Sequence, residues 1–338
     1  MYEPLMFIEN LKNCFSNSSL TEDLFNNSEK YNFLEQTLYL RYLLDESDKV
    51  GHEKFNKVID AFKREVAVKH NLKAFTSLNN NLVLGYLTSA TVAGKWRKNK
   101  ISYKLDKALL SEFYKMDIPK SLATDFILKQ PAATYYLDIS ENSDEVLKGL
   151  HGIFIDTISF GKFSVVRMLL YSPYGKGSDT SIVHFRLNKE NKELLMPTFK
   201  TQENPDLNSL KLYTLFLNFI VYLHASNRDI EISERTRLNH SKDNNTIIKD
   251  KFREVKEFSV GYHYGSEIKK NKVRYKYVGE KNSSTNSGRK ITSHYRAAHW
   301  HQYWMGTGDN KVLVPKWIEG VFVKGSRETD DVVIHKVK

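Results

Sequence analysis

The chain has 338 residues, 41% hydrophobic and 12% aromatic, which is enough to bury a substantial core and excludes a disordered composition. Its formal charge of +11 is uneven: residues 241–338 hold 20 Lys and Arg against 11 Asp and Glu, leaving +2 for residues 1–240. The surplus points to an anionic partner, such as RNA, an acidic protein surface or a ribosome, and the single cysteine, Cys14, excludes internal disulfides and thiolate-rich zinc sites.

Residues 1–130 read as a helical region. Ile8, Leu11 and Phe15 share one face of a first helix, and Ser19-Leu-Thr-Glu22 fits a capping box. Leu34, Leu38 and Tyr42 repeat every four residues, while Phe55, Val58, Ile59, Phe62 and Val66 form the clearest apolar stripe. The basic run Gly94 to Lys100 reads as a solvated loop whose Trp96 packs inward. The acidic N-terminus is unlike a signal peptide, and the longest apolar run, Leu212 to Leu223, contains Asn218 and is too short to span a bilayer. A cytoplasmic protein with no membrane partner is expected.

After Pro131 the pattern turns to strands. Tyr135–Ile139, Gly152–Ile155, Phe163–Tyr171 and Ile182–Leu187 are β-rich runs separated by Gly, Ser, Pro and Asn. Gly175 to Asp179 suits a hairpin connection, and four successive strands suggest an antiparallel meander with one face free to take a helix. Residues 207–226 supply that helix, apolar over most of its circumference. The expected organisation is α+β: 1–130 helical, 131–226 antiparallel sheet plus apolar helix, 227–257 a polar connection, and 258–338 a basic β-rich binding region. Within the last, Phe258–Tyr264 and Lys272–Val278 read as strands, and Lys281–Gly288 as a polar loop.

Three of the four tryptophans, Trp300, Trp304 and Trp317, fall close together near the C-terminus. If residues 299–304 are extended, alternation puts His299, His301 and Tyr303 on one face and Trp300, Gln302 and Trp304 on the other. The Gly- and Asx-rich turn at Gly306–Asn310 then favours a hairpin with the strand from Lys311 to Trp317. Arg296 and Lys316 lie beside this aromatic platform, which suits stacked bases or a held peptide side chain. A small sheet whose aromatic face is its own core fits Trp317, Ile318 and Phe322 equally well.

Other chemistries are weaker. His-x-His on a strand can hold a metal, yet no cysteine is nearby, so no metal or cofactor is assigned. Two histidines with Arg296 and Lys316 could serve RNA cleavage as base, acid and phosphorane stabilisers, but nothing in the sequence requires it. No P-loop, Gly-x-Ser-x-Gly or His-Glu-x-x-His motif is present, and no catalytic residue is assigned.

The run Arg296-Ala-Ala-His299-Trp300-His301-x-Tyr303-Trp304-x-Gly306, followed by Leu313-Val314-x-Lys316-Trp317-Ile318-x-x-x-Phe322-Val323, resembles the C-terminal signature of a type V-A anti-CRISPR family. Residues 131–139, 152–155 and 217–223 look like that family's middle region. Its best-known member, carried on mobile elements, engages the N-terminal segment of the nascent CRISPR effector nuclease and triggers loss of its mRNA. The resemblance implies a binding protein of the bacterial cytoplasm. Its partner would be the nascent peptide of a CRISPR effector or another target, with ribosome or mRNA close by. On this reading Trp300, Trp304 and Trp317 form the aromatic surface with Tyr303. His299 and His301 give directional hydrogen bonds, and Arg296 and Lys316 meet carboxylates or phosphates. A sequence-tolerant RNA-binding protein and a histidine-dependent ribonuclease are the alternatives, and a direct inhibitor of the finished enzyme is a further one.

Overall fold

The structure, a computed structural model, describes residues 3–13, 18–27, 49–117, 120–130, 132–141, 147–160, 162–174, 177–190, 193–195, 207–233, 255–266 and 294–323. The helices are α1 (Glu3–Asn13), α2 (Ser18–Asn26), α3 (Lys49–Lys69), α4 (Asn80–Asn99), α5 (Lys107–Phe113), α6 (Lys120–Ile127) and α7 (Leu207–Leu223). Alternating with and following them come β1 (Ile101–Leu105), β2 (Thr134–Asp138), β3 (Gly152–Phe160), β4 (Phe163–Tyr174), β5 (Gly177–Asn188) and β6 (Glu193–Leu195). Then follow β7 (Ile230–Ile232), β8 (Lys256–Val260), β9 (His294–Arg296), β10 (His299–Met305), β11 (Val312–Ile318) and β12 (Val321–Val323). Cys14, the repeat at Leu34, Leu38 and Tyr42, the tip of the hairpin at Gly175, most of the polar connection, and the expected strand and loop between Lys272 and Gly288 lie outside the described residues.

An eight-stranded sheet, ordered β6-β5-β4-β3-β2-β1-β8-β7, divides the molecule. The expected antiparallel meander is β2 to β5, held by long ladders such as Ile153 opposite Leu170 and Val166 opposite Phe185. Beyond it the sheet turns mixed, because β1 runs parallel to both β2 and β8. The link from β1 to β2 passes through α5 and α6, the crossover that parallel neighbours need. β1 falls in the stretch expected to be helical; five residues, Ile-Ser-Tyr-Lys-Leu, are too short to carry a clear period between two helices.

Both faces of the sheet are covered, so its strands alternate between two cores instead of between core and water. Tyr136, Phe154, Leu169 and Tyr171 face a layer of α1, α2, α3 and α4. Tyr135, Leu137, Ile153, Ile155, Val166 and Met168 face α5, α6 and α7. The apolar helix expected at 207–226 is α7; its all-round hydrophobicity follows from being sandwiched between the sheet and the C-terminal strands.

Two local expectations change. The run from Gly94 to Lys100 belongs mainly to α4 instead of a loop, although Trp96 does pack inward, fully buried, with Nε1 donating to Ile101 O at 2.7 Å. The polar pair of the expected capping box ties α2 to other elements: Ser19 Oγ lies 3.0 Å from His70 Nδ1, and Glu22 accepts from Arg97 at 2.8 Å.

Candidate functional site

The aromatic C-terminal stretch folds as the expected hairpin, with β10 and β11 antiparallel and Trp300 opposite Trp317, His301 opposite Lys316 and Met305 opposite Val312. β9 and β12 continue the same register, with Arg296 opposite Val321. The whole of residues 294–323 is therefore one two-stranded ribbon, interrupted where Ala297 and Ala298 face Glu319 and Gly320. At that interruption Ala298 turns into the core and is buried.

The turn demands a glycine. Gly306 has φ +111, and a Cβ there would meet Asn310 O at 2.4 Å. Gly306→Ala should strain the hairpin by on the order of 1–3 kcal/mol. Faster amide exchange in β10 and β11, with the main sheet still protected, is the expected result; unchanged exchange in the hairpin would refute it.

The inner half of the ribbon is locked to the body. Trp317, 2% exposed, packs edge-on to Phe113 at 5.7 Å, Tyr222 at 5.6 Å and Trp300 at 5.1 Å. Burial pushes the Tyr222 hydroxyl above the ordinary phenol range, so it stays neutral beside these rings. Trp300 Nε1 donates to Asn218 Oδ1 at 2.8 Å. Asn218, fully buried in α7, places its Nδ2 within 3.0 Å of the carbonyls of Phe113, Met116 and Thr214. A buried amide with all its groups met is specific in a way that an apolar residue is not.

A second asparagine fixes β11 from the side. Asn227 Nδ2 donates to Trp317 O at 2.8 Å, and Trp317 N donates to Asn227 Oδ1 at 3.0 Å. Ser226 N adds a longer bond to Pro315 O at 3.4 Å.

The outer half projects. Trp304 is 69% exposed and Val312 62%, with Tyr303 and Met305 also exposed. Trp304 lies on the face that carries Trp300 and Trp317 further in, whereas Tyr303, Met305 and Val312 lie on the opposite one. Exposed apolar side chains thus flank both faces of the tip. On the Tyr303 face, the His301 ring lies 4.3 Å from that of Tyr303, and Lys316 Nζ sits 5.5 Å from the same ring. His299 Nδ1 is 3.4 Å from Ala297 O.

The eight expected residues are therefore divided. His301, Tyr303 and Lys316 come together on one face, with His299 half-buried on that same face at the inner end of β10; Trp304 stands on the other; Trp300 and Trp317 pack into the body; Arg296 is exposed but lies in β9, beyond the interruption. Sequence reasoning missed Met305 and Val312, which extended pairing across the turn would have placed at the tip, and it missed the anchoring by Asn218 and Asn227. Among the described residues no group of three or more His, Cys, Asp or Glu is placed to hold a metal, and no helix is long and apolar enough to cross a membrane.

A family model described as AcrVA2-like, the anti-CRISPR type V subtype A2 family, matches residues 103–325. The match spans more than half of the chain and includes the whole ribbon up to Val323. A solved structure, the crystal structure of AcrVA2, is similar with a TM-score of 0.53 and 17% sequence identity, covering 96% of this chain and 100% of that one. At that identity the likeness is one of fold, and it extends to the N-terminal helical layer that the family match leaves out. No curated protein sequence matches the chain.

Proposed function

Because the chain belongs to the AcrVA2-like anti-CRISPR type V subtype A2 family, we propose that it is an anti-CRISPR regulator of the bacterial cytoplasm that binds the N-terminal segment of a nascent target protein and promotes loss of its mRNA. The target is a CRISPR effector, and the ribosome or the mRNA lies within reach while the peptide is held.

The observation that supports this reading is the projecting tip, where Tyr303, Trp304, Met305 and Val312 are exposed together. Large apolar side chains clustered in water mark an interaction surface, and exposed aromatics are the side chains from which binding hot spots are made. Trp300 and Trp317 hold the ribbon in place, and His301 and Lys316 add hydrogen bonds and charge beside the tip. The surplus of +9 in residues 241–338 suits approach to ribosomal or messenger RNA.

Co-sedimentation with ribosomes translating a type V-A effector tests it. Wild type should co-sediment and lower the effector mRNA, while Trp304→Ala should weaken association by roughly thirtyfold at unchanged melting temperature. Association driven by RNA alone would instead fall steeply with salt and be indifferent to Trp304. The reading fails if wild type never associates and the mRNA level stays constant.

A further inference from the structure

The two edges of the ribbon differ. Trp317 turns both its backbone N–H and its carbonyl to Asn227, away from β10, so Trp300 and Trp317 form a pair without hydrogen bonds between them. Alternation makes Gln302–Pro315 and Trp304–Leu313 pairs of the same kind, consistent with Pro315 having no N–H to give. The outward groups of β11 are then accounted for in its inner half: Asn227 takes those of Trp317, Ser226 takes the Pro315 carbonyl, and proline removes a donor.

The outward groups of β10 belong to Trp300, Gln302 and Trp304, and β11 is the one strand that pairs with β10 among the described residues. Exposed edges are normally blunted by proline, lysine or a bulge. The sequence of β10, His-Trp-His-Gln-Tyr-Trp-Met, holds none of the first two, and its ladder with β11 runs from His299 to Met305 without a bulge.

The geometry points to the outer edge of β10 as a strand-addition site, where an extended peptide pairs with the backbone of Trp300, Gln302 and Trp304 as a third strand. This rests on the peptide reading above and names how the peptide is held. Main-chain hydrogen bonds supply affinity in this mode, and alternate side chains supply selectivity. On one face the peptide's side chains lie alongside His301 and Tyr303, with Lys316 on the next strand; on the other they lie alongside Gln302 and Trp304. Neither β10 nor β11 contains Asp or Glu. The fitting occupant therefore carries acidic residues on the His301 face and apolar ones on the Trp304 face.

The test titrates overlapping synthetic peptides from the N-terminus of a type V-A effector into the full chain, followed by calorimetry. At Gln302 the N–H points outward, so Gln302→Pro removes that donor and spares the ladder with β11. We expect Gln302→Pro to weaken the best peptide by at least about tenfold more than Gln302→Ala does, because the alanine variant loses the side chain but keeps the N–H. Independently of any variant, backbone N-methylation along that peptide should abolish binding to wild type at every second position. If Gln302→Pro binds like wild type, or methylation losses show no period of two, strand addition is wrong while peptide binding stands. If no peptide binds wild type, both readings fall. Self-association through this edge without peptide binding, or occupation by an RNA oligonucleotide alone, likewise overturns the proposal.

Discussion

Asp156→Ala should unfold at a much lower urea concentration than wild type, with a loss on the order of 3–5 kcal/mol. Asp156 is fully buried in β3 beneath the N-terminal helices. It accepts from Thr134 Oγ1 at 2.8 Å and from Arg167 Nε at 3.1 Å, and Lys95 Nζ lies 3.3 Å away. Arg167 is itself buried, so deleting the carboxylate removes the negative charge that balances it and leaves two cations close together. Such a loss is a large share of the roughly 5–15 kcal/mol by which folded proteins are stable. An unchanged midpoint would show that the cluster is wetter than its burial implies.

The same group predicts an acid response. Burial by itself would raise the Asp156 carboxyl, but Arg167 and then Lys95 hold it below its ordinary value of 3.8. The folded value lies below the unfolded one, so this contribution is present above about pH 4 and is lost as pH falls through the folded value. Wild type should lose stability over that acid range, and Asp156→Asn should lack this component.

Trp317→Ala is expected to cost about 3–5 kcal/mol, the range for deleting a buried Trp or Phe ring. The ring fills the junction of α5, α7 and the ribbon, touching Phe113, Tyr222, Trp300 and, at 6.0 Å, Tyr264. Removing it takes away the lid over Tyr222 and the packing partner of Trp300. The near-ultraviolet circular dichroism of the aromatic cluster should collapse along with the melting temperature. Trp304→Ala, four residues along the strand from Trp300, should move neither. A Trp317→Ala protein as stable as wild type would mean that the ribbon is not seated as described.

These contrasts mark what was legible in the sequence. The β2–β5 meander was readable because its runs are rich in β-branched and aromatic residues and bounded by turn formers. α7 was readable because seventeen residues are apolar nearly all round. The hairpin followed from Gly306 to Asn310 between two alternating runs. Alternation correctly assigned the faces of β10, but it says nothing about where the body of the protein stops. Trp300 and Trp304 share a face, and only the reach of α7 makes one half-buried and the other exposed. The bonds from Asn218 to Trp300 and from Asn227 to Trp317 span 82 and 90 residues and leave no local trace. Phe258–Tyr264 reads as a strand, but β8 runs Lys256–Val260 and the chain is helical at 262–266; the pairing of β8 with β1 joins residues some 150 apart, beyond any local pattern.

The division of the ribbon into a seated half and a projecting half also bears on how the protein evolves. Changes at Trp317, Asn218 or Asn227 disturb packing or leave buried polar groups unmet, and selection for a folded protein removes them. Changes at Tyr303, Trp304, Met305 or Val312 disturb little that is buried, so the fold filters them weakly. Tolerated variation is therefore concentrated at the tip, where on the proposed function a new side chain would alter recognition at little cost to stability. On that reading, a lineage facing a shifting target would change its specificity there without first acquiring compensating mutations in the core.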